Sequence, residues 1–216
     1  MVHILSEKPS LMTIYLNELR HIEIQKDRAR FRNNISRIGS FMGYEISKSM
    51  DFTDVEITTP LGTCDSKRLK EQPVIATVLR AGLPLQQGLL EAFDRADSAF
   101  ISAYRKHHSN EDFEIMVEYA SCPDLEGRTL ILTDAMLATG QSMVLSYEML
   151  VKQFGAPAKV HFVSVIASAE GVDYLKENAP ENAEIWIGAI DQEMTAQAYI
   201  VPGLGDAGDL CYGEKS

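Results

Sequence analysis

The stretch LILTDAMLATGQS, residues 130–142, joins an apolar run to a segment of small and hydroxyl-bearing residues. The run ends at Asp134, and the chain continues through Thr139, Gly140 and Ser142 with little side-chain bulk. Strands this apolar are covered on both faces, as in a mainly parallel sheet flanked by helices. The stretch therefore predicts an α/β fold, with Asp134 at the carboxyl edge where such sheets bind their ligands.

Further apolar runs of similar length follow one another through the middle of the chain. They are VIATVL (74–79), AFISAY (99–104), EIMVEY (114–119), VHFVSVIAS (160–168) and EIWIGAI (184–190). Helices are predicted near residues 84–94, 141–154 and 171–178. Strands that alternate with helices in this way indicate one mainly parallel sheet with helices on its faces.

The first seventy residues follow a different pattern. Residues 31–46 repeat apolar side chains at spacings of three and four, which predicts an amphipathic helix. Residues 54–66 are β-rich and turn at Pro60-Leu61-Gly62, which predicts a hairpin arm. We expect a single domain over residues 1–216, with N-terminal helices and the arm over 1–70, the core sheet over 71–190 and a C-terminal segment over 191–216.

Composition and charge restrict the class of protein. Of the 216 residues 45% are hydrophobic and 24% charged, as in ordinary globular proteins. The net charge of −11 would repel a nucleic-acid backbone. Cys64, Cys122 and Cys211 lack the spacing of a disulfide framework or zinc site, which favours a reducing compartment. Without a run of eighteen apolar residues, we expect a cytoplasmic protein that binds neither membrane nor nucleic acid.

Two interpretations of residues 139–142 stay open from the residues alone. In the first, the free N–H groups of a helix start form a phosphate cradle with the hydroxyls of Thr139 and Ser142, and Gly140 lets the backbone approach. In the second, Thr139 or Ser142 simply caps the helix. Asp134 favours the cradle, because a carboxylate there can accept hydrogen bonds from a sugar diol beside the phosphate.

Two arginines follow other predicted strands. Arg80 comes after residues 74–79 and Arg105 after residues 99–104, so we expect both at the same carboxyl edge. A guanidinium there can bind two diphosphate oxygens at once, although Arg80 taken alone is more typical of a surface ion pair. The polar loop after Arg105 suits either a lid over substrate or a plain solvated hairpin.

The segment AYIVPGLGDAGDLCYG, residues 198–213, carries four glycines and a proline. It is too irregular for a helix or strand and too apolar for a free tail. Its backbone is therefore expected to bind a ligand or to turn tightly in a buried place. Asp209 is interpreted as structural, and Tyr119, Trp186 and Tyr199 as core or pocket wall.

Three of these motifs together resemble the uracil phosphoribosyltransferase family. DAMLATGQS (134–142), VLRAG (78–82) and YIVPGLGDAGD (199–209) are similar to its diphosphoribosyl-binding loop, its arginine-containing loop and its base-recognition segment. The third motif is the most specific to the uracil enzymes. Ala135 and Gln141 depart from the family pattern, which usually has Pro and Gly there.

The resemblance implies the type I phosphoribosyltransferase fold and the conversion of uracil and 5-phospho-α-D-ribose 1-diphosphate to UMP and diphosphate. It implies that phosphoribosyl diphosphate is bound by Arg80, Arg105, Asp134, Ala135, Met136, Leu137, Ala138, Thr139, Gly140, Gln141, Ser142 and Asp206. It implies that uracil is bound by Ile200, Gly205, Asp206 and Ala207 in a C-terminal hood. The implied catalytic residues are Arg80, Arg105 and Asp206, with Asp206 the nearest candidate for a general base.

The resemblance also implies a requirement for Mg²⁺, held by substrate and water rather than by a cage of protein ligands. A homodimer or larger homo-oligomer is expected, because the N-terminal helices and the arm carry more apolar surface than one sheet needs. The resemblance also leaves room for activation by GTP.

Three other functions are weighed against this one. A regulator of the same fold that binds pyrimidine nucleotide and RNA would need a basic face, which the charge of −11 disfavours. A purine phosphoribosyltransferase would place an aromatic stack and a lysine at the base, where this chain has Gly205-Asp206-Ala207. An inactive scaffold would have no reason to keep Arg80 and Asp134 together with that segment.

Overall fold

The computed structural model describes residues 1–107 and 113–214, and it describes no side chains within residues 103–118. The strands are β1 (Val2–Ile4), β2 (Phe52–Thr59), β3 (Gly62–Leu69), β4 (Val74–Val78), β5 (Asp97–His107), β6 (Phe113–Ser121), β7 (Thr129–Thr133), β8 (Met136–Leu137), β9 (Lys159–Ser168), β10 (Ala183–Asp191), β11 (Glu193–Met194) and β12 (Ile200–Val201). The helices are α1 (Leu11–Arg20), α2 (Arg28–Ser47), α3 (Gly82–Ala92), α4 (Gln141–Phe154), α5 (Ala169–Asn178) and α6 (Ala207–Tyr212), with a 3₁₀ turn at Ile24–Lys26.

The central sheet has the strand order β1-β10-β9-β7-β4-β5-β6, and β8 pairs beside β7 along β9. Neighbouring strands are parallel except for β5 and β6. From β4 the chain moves outward to β5, and β7 then returns to the other side of β4. The predicted mainly parallel sheet is therefore confirmed, and its switch in direction opens a crevice between β4 and β7.

Each inner strand contributes side chains to both faces of the sheet. Ile75 and Ile131 face the helices α1, α2 and α3, whereas Ala76 and Leu132 face α4 and α5. Because successive side chains of a strand point to opposite faces, a sheet covered on both sides needs apolar residues at every position. This requirement explains the continuous apolar runs of the sequence.

The N-terminal part packs on the first of these faces. Helix α2 begins earlier than predicted because the Asp27 carboxylate accepts hydrogen bonds from the N–H groups of Ala29 and Arg30 and caps the helix. Helices α2 and α3 are in close contact, since a β-carbon on Gly88 of α3 would overlap the carbonyl oxygen of Ser36 of α2. The predicted amphipathic helix is thus confirmed, and its small residues allow the backbones to meet.

Strands β2 and β3 form the predicted arm, pairing from Phe52 and Leu69 to Thr59 and Gly62. Nearly all of its side chains are exposed, and Leu61 at its tip is fully so. Among the described residues, no helix combines the length and apolarity needed to cross a membrane.

The aromatic residues predicted to lie in the core or in a pocket wall differ in exposure. Tyr119 and Tyr199 are 60% and 47% exposed, so neither belongs to the core, and the pocket-wall alternative stays a prediction for both. Trp186 is buried as predicted; it stacks on His3 and donates from Nε1 to His161 Nδ1 at 3.0 Å. Burial lowers the pKa of His161 to about 4, which keeps this imidazole neutral within the sheet.

Candidate functional site

The crevice between β4 and β7 brings together two of the predicted site segments. The strands pair through Thr77 and Thr133, so the loops that carry Arg80 and Asp134 leave neighbouring strands at the same edge. The two loops are in close contact, because a β-carbon on Gly82 would overlap Thr77 Oγ1 and lie 3.4 Å from the Thr133 carbonyl oxygen. The structure thus brings these two segments to one place, as expected from the sequence.

The Arg80 guanidinium forms hydrogen bonds with the C-terminal segment. Its Nη1 donates to the Gly213 carbonyl oxygen at 3.1 Å, and its Nη2 donates to Asp209 Oδ1 at 2.8 Å. Its Nε is buried and has no hydrogen-bond partner among the described residues. Asp209, which was interpreted from the sequence as structural, therefore contacts the predicted catalytic side chain of Arg80. The sequence analysis missed this contact.

The loop after β7 is more ordered than predicted. The sequence predicts a loop between the strand that ends before Asp134 and the helix that starts at residue 141, but within it Met136 and Leu137 pair with Ile166 and Ala167 as the short strand β8. The side chains of Ala135 and Leu137 are buried, so these two positions can offer a ligand only their backbone. The family departure at Ala135 consequently lies in the core.

Helix α4 begins at this loop without a side-chain cap. Gly140 is the N-cap residue, at φ +79°, and no side chain hydrogen-bonds to the first N–H groups of the helix within the described structure. The capping role considered for Thr139 or Ser142 is therefore wrong. Both residues are half-buried and Gln141 is exposed, and the start of the helix offers N–H groups and the positive end of its dipole to an anion.

The start of α5 supports this loop through its backbone. Ser168 Oγ donates to the Ala138 carbonyl oxygen at 2.6 Å and accepts from the Gly171 N–H at 2.8 Å. A β-carbon on Gly171 would overlap the Ala138 carbonyl oxygen, and one on Gly140 would lie 2.8 Å from that of Gly171. The sequence analysis missed these supports, although a serine between a strand and a helix is a signal for an N-cap.

The C-terminal segment is more regular than predicted. The expectation that residues 198–213 are too irregular for a helix or strand is wrong, since Ile200 and Val201 pair with β11 and α6 follows. Ile200 and Ala207 are buried, so their side chains serve the core and only their backbone can meet a base. Gly205 has φ +92°, a conformation that favours glycine.

A buried ion pair fixes the turn of this segment to the end of β10. Asp191, which is 8% exposed, accepts from the Gly203 N–H at 2.9 Å. Arg20 of α1 binds both Asp191 oxygens, at 2.7 and 2.8 Å, and also donates to the Gly203 carbonyl oxygen at 3.0 Å. The N-terminal helix therefore positions the predicted base-binding backbone.

Two further N-terminal side chains hold the same segment. Gln25 Nε2 donates to the Leu204 carbonyl oxygen at 3.2 Å, and Arg32 Nη1 donates to that of Cys211 at 2.6 Å. In each of these two hydrogen bonds the donor and the acceptor are 179 residues apart in the sequence, so no local sequence pattern could indicate the contact.

Asp206 and Arg80 border a common space. The Asp206 carboxylate caps α6 by accepting from the Asp209 N–H at 3.0 Å, and Asp206 is exposed. A β-carbon on Gly208 would lie 3.1 Å from Asp206 Oδ1 and 3.3 Å from Arg80 Nη2. The missing side chain of Gly208 thus leaves room between the carboxylate and the guanidinium.

Three other features that could carry chemistry are the Cys211 thiol, a protein metal site and the Arg105 side chain. Burial raises the pKa of Cys211 to about 12, so this thiol stays protonated and is no nucleophile at neutral pH. No group of three His, Cys, Asp or Glu within the described residues is arranged to hold a metal ion. The Arg105 side chain lies outside the described residues, as does the loop 108–112, so both roles stay predictions.

Known proteins resemble the chain along its whole length. The family model for uracil phosphoribosyltransferase matches residues 7–214. A uracil phosphoribosyltransferase of Porphyromonas gingivalis is 48% identical over 211 residues, covering 98% of this chain and 97% of the relative. The AQ2163 protein of Aquifex aeolicus has a solved structure that matches with a TM-score of 0.86 and 29% identity, covering 99% and 98% of the two chains.

A more distant structure agrees in fold alone. A hypoxanthine phosphoribosyltransferase of Staphylococcus aureus matches with a TM-score of 0.50 and 12% identity, covering 87% of this chain and 84% of that one. Together with the strand order, this similarity confirms the predicted type I phosphoribosyltransferase fold.

Proposed function

The chain belongs to the uracil phosphoribosyltransferase family, and we propose which of its residues carry out the transfer that this family performs. The enzyme joins uracil to the ribosyl group of 5-phospho-α-D-ribose 1-diphosphate and releases UMP and diphosphate. The proposal rests on one observation: the uncapped start of α4, Arg80 and the C-terminal segment meet at the crevice of the sheet.

The 5-phosphate of the substrate binds at the start of α4. Its oxygens accept hydrogen bonds from the first N–H groups of the helix and from the hydroxyls of Thr139 and Ser142. The remaining residues of the segment 134–142 line the ribose phosphate with their backbone. Asp134, at the end of β7, accepts hydrogen bonds from the ribose diol.

The diphosphate binds at Arg80 and Arg105. During transfer, the bond between ribose C1 and the diphosphate oxygen breaks, and its electron pair leaves with the diphosphate. Uracil N1 forms the new bond to C1 and loses its proton, for which Asp206 is the candidate acceptor. Because charge grows on the leaving oxygens, a guanidinium at that point stabilises the transition state more than the substrate.

Uracil binds to the backbone of the C-terminal segment. The N–H and C=O groups of Ile200, Gly205, Asp206 and Ala207 match the alternating acceptors and donor of the base. The ties from Arg20 and Gln25 support this role, because they hold the carbonyl groups of neighbouring turns in place.

Mg²⁺ would be held by oxygen atoms of the substrate and water rather than by a set of protein ligands. The exposed carboxylate of Asp206 beside Arg80 fits a hard cation of this kind, although it forms no cage. When bound, Mg²⁺ neutralises part of the diphosphate charge.

A homo-oligomer and a cytoplasmic location complete the proposal. Exposed apolar side chains on α1 and the arm, among them Ile14, Ile57 and Leu61, support association of subunits. The exposed free thiol of Cys64 supports a reducing compartment. Sedimentation at micromolar concentration tests the oligomer, and a monomer would contradict it. Rates with and without GTP test whether the nucleotide activates the enzyme.

Parallel assays with uracil, cytosine, orotate, hypoxanthine and adenine test the proposed function. Cytosine reverses the donor and acceptor of uracil at N3 and C4, so at least two backbone partners would be left unpaired. Buried unpaired groups cost about 1–3 kcal/mol each, so kcat/KM for uracil should exceed that for cytosine by at least ~10²-fold. Comparable rates with the two bases would contradict the proposed pocket.

A further inference from the structure

We propose that Asp209 is a positioning residue that holds Arg80 at a fixed place relative to Asp206, and this inference rests on the function proposed above. Asp209 has a contact to each of these two residues. Its carboxylate accepts from Arg80 Nη2 at 2.8 Å, and its backbone N–H donates to Asp206 Oδ1 at 3.0 Å. One residue of α6 therefore links the guanidinium assigned to the diphosphate with the carboxylate assigned to the base.

The hydrogen bonds of Arg80 show which of its N–H donors remain for a ligand. A guanidinium has five N–H donors in a rigid plane. Asp209 and the Gly213 carbonyl oxygen accept from Nη2 and Nη1, which fixes the plane at two points. The Nε donor is buried and has no partner among the described residues. A buried donor without a partner is costly, so its retention points to a ligand that accepts from it.

The space beside this donor supports the same conclusion. A β-carbon on Gly208 would lie 3.7 Å from Arg80 Nε and 3.3 Å from Nη2. A side chain at position 208 would thus press on the edge of the guanidinium that carries Nε and Nη2. This edge is the one that two oxygens of an anionic group bind in a bidentate manner.

Asp209 is suited to orient Arg80 rather than to compete for it. Its carboxylate binds Nη2 alone, whereas a competing anion would occupy Nε and Nη2 together. The two side chains are about one-third exposed, at 32% for Arg80 and 34% for Asp209. With Arg80 oriented before substrate arrives, the guanidinium needs no reorganisation when charge develops on the diphosphate.

A double-mutant cycle on the full-length enzyme tests this role. Arg80→Ala, Asp209→Ala and the double variant are compared for kcat and for KM of phosphoribosyl diphosphate and of uracil. We expect Asp209→Ala to lower kcat/KM for phosphoribosyl diphosphate about tenfold, as for other contacting pairs, and to change KM of uracil less than twofold. In the Arg80→Ala background the same substitution should change kcat/KM less than twofold.

Asp209→Asn provides the conservative comparison, because its amide oxygen can still accept from Nη2. It should recover kcat/KM to within about threefold of the parent enzyme. Asp54→Asn in the arm provides a matched control, since Asp54 forms an exposed pair with Lys67 at 2.7 Å. Thermal unfolding of each variant checks the fold, and Asp209→Leu replaces Asp209→Ala in the cycle if the alanine variant does not fold.

Each other result overturns the inference in a distinguishable way. Equal losses in the wild-type and Arg80→Ala backgrounds, with KM of uracil rising in parallel, would mean that Asp209 only stabilises α6. Tighter binding of diphosphate to Asp209→Asn would mean that the carboxylate competes for Arg80. An unchanged kcat/KM for Arg80→Ala would overturn the proposed role of Arg80 itself, and the role of Asp209 with it.

Discussion

The two halves of the proposed site, one for phosphate and one for the base, are held together in different ways. The phosphate half, residues 134–142, is supported by the start of α5, and the bond from Ser168 to Ala138 spans 30 residues. The base half, residues 199–213, is supported by α1, the 3₁₀ turn and α2, and the bond from Arg20 to Gly203 spans 183 residues. The first half is a local strand-to-helix unit, whereas the second depends on the opposite end of the chain.

This difference has a consequence for mutations. Removing the Thr139 or Ser142 hydroxyl from the phosphate half should alter ligand binding and leave the fold intact, because neither side chain caps the helix. A change in the ties of the base half should alter stability and base recognition together. Arg80, which follows the strand next to β7, links the two halves through Asp209 and the space beside Gly208.

The largest effect is expected from removing the two hydroxyls of the phosphate half. Thr139→Ala with Ser142→Ala should weaken phosphoribosyl diphosphate binding by about 1.5–3 kcal/mol for each lost hydrogen bond to a charged group. The free energy of unfolding should stay unchanged, because neither hydroxyl caps α4. Calorimetry and urea unfolding measure the two quantities, with Ser47→Ala on α2 as the control. Unchanged affinity together with lost stability would return both residues to a capping role.

The next effect concerns the buried tie of the base half. Asp191→Ala leaves Arg20 without its partner and Gly203 N–H unpaired, and should lower the free energy of unfolding by about 3 kcal/mol. Uracil affinity should fall, while diphosphate affinity should change little, if the halves are independent. Asp173→Ala, which removes an exposed pair with Lys176, should change neither. Equal losses of uracil and diphosphate affinity would show that the two halves form one unit.

A smaller effect is expected from the backbone of the base half. Gly205 has φ +92°, and Gly205→Val should cost about 1–2 kcal/mol because a β-branched residue disfavours that conformation. The cost arises from conformation alone, since the nearest atom to a new β-carbon is Leu210 Cδ1 at 3.8 Å. KM of uracil should rise, and Ile200→Val should leave it unchanged. Full activity of Gly205→Val would contradict backbone recognition of the base.

The smallest effect is expected where the halves meet. In Gly208→Ala the methyl group would press on Asp206 and on Arg80, and kcat should fall about tenfold, or about 1.4 kcal/mol. The free energy of unfolding should not fall, because alanine favours the helix α6 more than glycine. Steady-state kinetics and urea unfolding provide the two measurements. A variant that keeps its kcat would mean that the space beside Gly208 holds no reacting group.

Much of the sheet and of the phosphate half could be predicted from the sequence. Strand β7 coincides with the apolar run that ends before Asp134, and α4 has the predicted bounds 141–154, because continuous apolar runs and a glycine at the helix start are local signals. The position of Arg80 and Asp134 at one edge followed from the parallel sheet alone. Strand β1 gave no such signal, since three residues are too few for a periodic pattern.

The contacts of the base half could not be predicted, for a physical reason. Arg20, Gln25 and Arg32 occur on helices as ordinary polar residues, and only the folded chain brings them to the carbonyl groups that they bind. The contact of Asp209 with Arg80 was not foreseen because the two residues are 129 positions apart in the sequence. Side chains that bind backbone carry no complementary charge pattern in the sequence.

The ties between the two ends of the chain also determine the order in which the site is assembled during synthesis. A nascent chain contains the whole phosphate half and its support once Gly171 has left the ribosome. Arg20, Gln25 and Arg32 have been synthesised long before, yet their carbonyl partners reach as far as Cys211, near the end of the chain. Contacts between residues so far apart in the sequence form late and slowly. A truncated translation product would therefore contain the phosphate cradle and lack the means to select a base.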